Sequence, residues 1–260
     1  MLLHLIADYG HGDLAFAEVV QRIKASLPDA EPVLTPVPAF ATLAAGFCVA
    51  QLGLNDAPAG TIVYHNVAPR ADDDEARENN EGERLAFARL PTGVRVIGVN
   101  AGYAFSFIRD AAEELRFAAV AAEGSQFRSR DLFPEAAAAV ALGAPDALAG
   151  ELRADTVPPV PENRIAYIDG YGNLKTTVPA GAVEGASGQK LAVTIGETEL
   201  QATLSDGSFA VEQGELAFAP GSSGWSLGGR RIAWMELFLR GGSAWEAFGC
   251  PTVESPLSWA

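Results

Sequence analysis

Asp8, Asp13 and the glycines between them are the first residues of the chain with chemistry to offer. The run Leu2-Leu-His-Leu-Ile-Ala7 is mostly apolar and gives way to Asp8-Tyr-Gly-His-Gly-Asp13, the pattern of a buried strand leaving a sheet at its C-terminal end. Ligands of open α/β sheets sit beyond those strand ends, so Asp8 stands where a carboxylate can grip a polar ligand. Its competing role is a cap on the helix that follows. Further on, Asp72-Asp-Asp-Glu75, continued by Glu78, Glu81 and Glu83, reads as a solvated loop rather than a metal site. Gly10-His-Gly12 lacks the third glycine of a dinucleotide loop, and no phosphate-loop lysine, nucleophile-elbow serine or paired-histidine metal motif occurs. No metal and no cofactor is expected.

The 260 residues suit one large or two ordinary domains, and 48% hydrophobic content is ample for a packed core. A net charge of −15 argues against nucleic acid or an anionic membrane as partner, while a cationic or zwitterionic small molecule is tolerated. Cys48, in an apolar helical run, and Cys250, near the end, have no metal-ligand spacing and read as buried free thiols, which suits a reducing cytoplasm. The N-terminus lacks a basic n-region, and no apolar run approaches the roughly 20 residues of a membrane span. A cytoplasmic location is expected.

The elements that must position these residues follow from periodicity. Leu14, Phe16, Ala17, Val20 and Ile23 recur at helical intervals and Pro28 stops them. A short strand from Val33, an alanine-rich helix over 40–52 and a strand over 61–65 follow. That order predicts an α/β domain, a mostly parallel sheet with helices on both faces. Strands are expected over 85–89 and 94–99, a helix over 103–115, and an alanine-rich helix over 134–142 with Asp131 as its N-cap. The stretch Asp155-Thr-Val-Pro-Pro-Val-Pro161 is a stiff connector. The expected division is an α/β domain over 1–154, a linker over 155–163 and a smaller all-β, barrel-like domain over 164–260, with short strands separated by glycine turns. All four tryptophans lie in that last part, at Trp225, Trp234, Trp245 and Trp259, as core or as subunit interface.

Several separated stretches, in order, resemble the S-adenosylmethionine-cleaving family that contains the hydroxide adenosyltransferases (SAM hydrolases), the fluorinase and the chlorinase. Asp8-Tyr-Gly10 with Asp13 resembles its opening Asp-Phe-Gly…Asp, and Val67-Ala-Pro69 its Val-Asp-Pro. Val99-Asn-Ala-Gly102 is similar to Pro-Asp/Asn-Asn-Gly, and Phe127-Arg-Ser-Arg-Asp131-Leu-Phe to Phe-His-Gly-Arg-Asp-x-Phe. Ile168-Asp-Gly-Tyr-Gly-Asn173 is similar to Ile-Asp-x-Phe-Gly-Asn. Gly221-Ser-Ser-Gly-Trp225 and Arg240-Gly-Gly-Ser-Ala244 resemble the closing Asn-Ser-x-Gly-Tyr and Gly-Ser-Ala. The resemblance implies an α/β domain, a β-barrel and a homotrimer that places the ligand between one subunit's first domain and its neighbour's second.

It also implies roles. Asp8 accepts from the ribose hydroxyls, Asp169 holds the methionine ammonium, and Asn173 reads the adenine edge; a carboxylate offers two acceptors and an amide both donates and accepts. Ser222 and Ser223 sit where the family holds the methionine carboxylate, although Ser223 replaces an arginine. Asn100 and Tyr171, inside the matched motifs, join this substrate-binding set. The water of hydroxide adenosyltransferases is positioned by Asp, Arg and His. Here Arg84 matches the arginine, while the other two positions hold Ala68 and Arg128, and a carboxylate of the acidic insertion from Arg70 to Glu81 is a candidate substitute. Ser129 matches the halide-contacting serine of the halogenating enzymes. Arg128 is a permanent cation and cannot act as a general base. Two classes of function stay open: an enzyme cleaving S-adenosyl-L-methionine at ribose C5′, with water rather than halide as nucleophile, or a non-catalytic homologue that only holds an adenosyl ligand.

Overall fold

The computed structural model describes residues 1–69, 75, 76, 78–121 and 123–260, so the acidic run over 72–74 lies outside the described residues. The chain divides into two compact units, Met1–Pro159 and Val160–Ala260. Among the described residues no helix is long and apolar enough to cross a membrane.

In the first unit, strand β1 (Leu2–Ala7) pairs in parallel with β2 (Glu31–Pro36) on one side and β3 (Ile62–Asn66) on the other. Between β1 and β2 runs α1 (Leu14–Ser26), which buries Phe16, Val19 and Ile23. Its cap is Asp13, whose carboxylate accepts the Ala15 N–H at 2.8 Å. Asp8 is therefore not the cap. Helix α2 (Thr42–Gly53) packs on β1 and β3 and buries nearly its whole length, which its small residues Ala44, Ala45, Gly46 and Ala50 permit.

Beyond β3 the sheet changes character. Its order is β2-β1-β3-β5-β4-β6-β7, with β4 (Leu85–Arg89), β5 (Arg95–Val99), β6 (Glu114–Ala118) and β7 (Leu148–Glu151). Strand β5 continues the parallel set on β3, but β4, β6 and β7 pair antiparallel. The expected mostly parallel sheet with helices on both faces is therefore corrected to a mixed, seven-stranded one. The turn Leu90-Pro-Thr-Gly93 is the reason: it closes with the Leu90 N–H donating to the Val94 carbonyl at 3.0 Å, and is far too short for the crossover a parallel pair needs.

Residues 103–115 do not form the expected helix. They run through successive three-residue turns, such as Ile108 N–H to the Phe105 carbonyl at 3.1 Å, before β6 pairs Glu114 with Arg89. Helix α4 (Phe133–Ala141) forms with Pro134 in its first turn and no side-chain cap. Asp131 closes the single turn α3 (Arg128–Asp131) instead. Hydrogen bonds from Arg130 and then Ser125 occupy its carboxylate and hold its pKa down at about 2.

The second unit is a sheet of order β14-β10-β11-β12-β13-β9-β8, antiparallel except for β11 against β12. Its strands are β8 (Ile165–Ile168), β9 (Leu174–Pro179), β10 (Lys190–Ile195), β11 (Thr198–Leu204), β12 (Leu216–Leu227), β13 (Arg230–Leu239) and β14 (Leu257–Trp259). A bridge between Arg164 and Pro256, with Leu257 N–H donating to the Asn163 carbonyl at 2.9 Å, ties the two ends nearly into a barrel. Ile165, Leu174, Val193, Phe218 and Leu237 fill it. Trp225 and Trp234 are buried with ring centroids 5.9 Å apart, and Trp245 and Trp259 pack partly buried on the core, so the tryptophans are mainly interior. Cys48 is buried as expected, but Cys250, which follows the short helix Ala244–Ala247 and has φ of 60°, is exposed.

His65, at the end of β3, is fully buried beside Phe105 and over Gly98, where an added Cβ would fall 2.0 Å from the imidazole. Neither ring nitrogen has a hydrogen-bond partner among the described residues, and burial pushes the pKa down to about 3. The unfolded chain takes up this proton near 6.5 and the native chain only near 3, so stability is lost as pH falls between those values, by up to about 1.4 kcal/mol per pH unit. His65→Leu is expected to lessen the loss between pH 7 and pH 4.5, read from urea midpoints of both proteins at both pH values. Parallel pH dependence in the two would mean that His65 is protonated in the native protein.

Candidate functional site

At the C-terminal ends of β1 and β3 the first unit opens a cavity of about 120 Å³, lined among others by Asp8, Tyr9, Asn66, Ala68, Glu83, Arg128 and Ser129. Parallel pairing of β1 with β3 brings Asp8 and Asn66 to the same edge, as strand-end logic requires. Asp8 accepts the Phe40 N–H at 3.0 Å through Oδ2. Tyr9 Oη accepts from the Asn66 amide at 2.9 Å and donates to Ser129 Oγ at 2.8 Å. Its ring meets Phe16 and Phe127 edge-on, at centroid distances of 5.1 and 6.2 Å. The buried hydroxyl of Ser129 is thereby held at one depth in the cavity.

Arg128 enters from α3. Its guanidinium lies over Phe133, 5.2 Å from the ring centroid, and donates to the Gly82 carbonyl at 3.4 Å. A Cβ at Gly82 would fall 2.2 Å from Nη2, so a larger residue there would displace the Arg128 guanidinium. Ala68 lines the same cavity and presents only a methyl group. Of the residues given catalytic roles in the sequence, Ser129 and Arg128 thus meet at one place with Asp8. Arg84 does not join them: its guanidinium stacks over Phe117 at 3.6 Å, and its carbonyl accepts the Asn100 N–H. Asn100 follows Val99 out of β5, and of the two only Val99 lines the cavity.

The second unit holds the other group. Asp169 accepts the backbone N–H of Tyr171 and Asn173, at 2.9 and 3.1 Å, and the Asn173 side-chain amide at 2.9 Å. The carboxylate therefore shapes its own loop as well as facing solvent. Tyr171 projects outward, 83% exposed, and with Asn173, Phe209 and Arg240 lines a depression of about 620 Å³. Ser222 and Ser223 fall in a bulge of β12, where register breaks between Pro220 and Gly224. Ser222 is exposed and its carbonyl accepts from Arg231, while Ser223 is buried with its N–H on Glu236.

Sequence reasoning missed Tyr9, Asn66 and Glu83 in the first group, and Lys175 with Glu236 in the second. Glu236 is wholly inaccessible inside the apolar strand β13, and Lys175 Nζ meets it at 2.9 Å across the β9–β13 pairing. The same ammonium stands 3.7 Å from Asp169. Opposite charges facing each other from two apolar strands were the signal for this pair. Among the described residues no group of three or more His, Cys, Asp or Glu side chains is arranged to hold a metal ion.

Residues 163–255 match the model of the SAM hydroxide adenosyltransferase C-terminal domain. Solved structures share the fold over nearly the whole chain. A structure described as an uncharacterized conserved protein from Thermotoga maritima superposes with a TM-score of 0.73 at 19% identity, covering 99% of this chain and 100% of its own. Another, a conserved hypothetical protein from Thermus thermophilus, gives 0.67 at 20% identity over 99% of each chain. Among curated proteins none matches the sequence. The second unit is thus similar to the SAM hydroxide adenosyltransferase C-terminal domain, and the fold of the whole chain is shared with these solved structures.

Removing Lys175 leaves Glu236 as an uncompensated buried charge. Lys175→Met is expected to cost roughly 3–5 kcal/mol in urea unfolding, and Lys175→Met with Glu236→Leu to recover most of it. A single variant as stable as wild type would mean that the pair is not formed in solution.

Proposed function

We propose that the protein cleaves S-adenosyl-L-methionine by nucleophilic substitution at ribose C5′, with water giving adenosine and L-methionine. The observation that carries this reading is the convergence of Asp8, Arg128 and Ser129 on one cavity in a chain whose second unit matches the SAM hydroxide adenosyltransferase C-terminal domain. The sulfonium is a leaving group that departs as a neutral thioether, so the protein has mainly to align water behind C5′ and exclude competing solvent. Asp8 is suited to the ribose diol, with two acceptor oxygens of which one already holds Phe40. In the second unit Asp169 suits the ammonium and Asn173 the adenine edge, its carbonyl oxygen and second N–H remaining after one donation to Asp169.

A second reading draws on Arg128, whose fixed positive charge opposes a sulfonium nearby and favours an anion. In that reading the protein only holds an adenosyl ligand or uses a halide. Chromatography of the products separates them: adenosine supports hydrolysis, 5′-halo-adenosine a halide nucleophile, and unchanged S-adenosylmethionine bound at stoichiometry a binding protein. Asp8→Ala is expected to weaken binding by about 1.5–3 kcal/mol in calorimetry, the range for hydrogen bonds to a charged group. Unchanged affinity would remove Asp8 from the site.

We also place the protein in the cytoplasm as a homotrimer in which one copy's Asp8 group and another copy's Asp169 group serve one ligand. A cavity of about 120 Å³ supports this, since pockets that enclose a ligand of this size measure roughly 300–1,000 Å³. Light scattering is expected to give three copies per particle; a monomer that binds S-adenosylmethionine with full affinity would refute the shared site.

A further inference from the structure

The cavity at the end of β1 contains a carboxylate that no motif assigned. Glu83 lies just before β4 and lines the same space as Asp8, Ala68, Arg128 and Ser129. Its side chain is half-buried, yet Oε1 is withdrawn from solvent and has no hydrogen-bond partner among the described residues. A carboxylate oxygen shut away from water without a donor is costly, and the cost is relieved when a ligand or an enclosed water donates to it. The backbone next to it is fixed. Gly82 is clamped by the Arg128 guanidinium on one side, and Leu85 enters β4 two residues later on the other.

Three features narrow what that donor is. The cavity, at about 120 Å³, has room for ordered water but falls short of the roughly 300–1,000 Å³ of pockets that enclose a small-molecule ligand, so it suits a water at the edge of a larger ligand. Ala68, which lines the same cavity, has no polar side-chain atom, and the Arg128 side chain supplies only donors. Ser129 Oγ accepts from Tyr9. Among the residues that line this cavity, Glu83 offers the carboxylate oxygen that is cut off from solvent with no donor among the described residues. Its negative charge also offsets Arg128, which removes much of the conflict between that guanidinium and a cationic substrate.

We infer that Glu83 is a catalytic residue of this protein, the acceptor that orients the attacking water and takes its proton. This rests on the hydrolytic reading above. As the water oxygen's lone pair forms the C5′–O bond, the C5′–S bond breaks and its electron pair stays on sulfur, giving neutral methionine. The proton that the new oxonium must lose passes to Glu83 Oε1, leaving adenosine and a protonated carboxyl that bulk water then discharges.

The test compares wild type, Glu83→Gln and Glu83→Asp for adenosine release across pH, with S-adenosylmethionine affinity measured by calorimetry. Glutamine keeps the shape and cannot accept the proton. It is expected to lower the turnover rate by about 10²-fold or more while Kd moves less than about threefold. It should also abolish the acid limb of the pH–rate profile, which a purely structural side chain would leave in place. Aspartate, shorter but still a base, is expected to retain that limb at a reduced rate. If Glu83→Gln turns over within threefold of wild type with the same acid limb, Glu83 is not the acceptor and the hydrolytic reading stands without it. If wild type itself binds S-adenosylmethionine and releases no adenosine, both fall together.

Discussion

One hydroxyl holds the first unit's site together. Tyr9 Oη joins three parts of the chain, accepting a hydrogen bond from the Asn66 amide at the end of β3 and donating one to Ser129 in α3, while its ring is wedged between Phe16 and Phe127. Such a phenol sets the distance from the sheet edge to the 127–133 segment, and hence the width of the cavity that Asp8 and Arg128 share. Burial pushes the neighbouring Tyr64 hydroxyl well above its ordinary pKa, with Tyr9 adding to the effect, so the Tyr64 phenol stays neutral.

The second unit depends on a different kind of constraint. Its buried Lys175–Glu236 pair is flanked by Asp169 and by the Ser223 N–H, so one ammonium connects the loop after β8 with the bulge of β12. A buried ion pair is a poor source of net stability, because desolvation offsets most of the attraction. What it supplies here is position: the two stretches that resemble the family's amino-acid-binding motifs are fixed relative to each other by charge rather than by packing alone. The bulge itself leaves Ser222 exposed on an otherwise regular hairpin.

The departures from the pattern that the first unit resembles line one cavity. Ala68 and Arg128 stand where a carboxylate and an imidazole are expected, and the cavity regains a carboxylate from Glu83, at the edge of the acidic stretch.

Local pattern by itself determined the strand ending at Asp8, helices α1, α2 and α4, and most strands of the second unit, because apolar periodicity and glycine turns act within a dozen residues. The motifs around Arg128, Asp169 and Ser223 became legible only through the resemblance to the S-adenosylmethionine-cleaving family, whereas Asp8 was already marked by its strand end. Tertiary structure decided the rest. The turn after β4 made the first sheet mixed, and pairing with Arg89 drew Glu114 into β6 rather than a helix. Asp8 lost its capping role to Asp13, and the stacking of Arg84 on Phe117 kept it away from the cavity. Glu83 read as one more surface charge, since nothing in a one-dimensional run of acids shows which of them is turned inward and cut off from water. That is set by which strands pair and what packs over them, and those contacts join residues far apart in the chain.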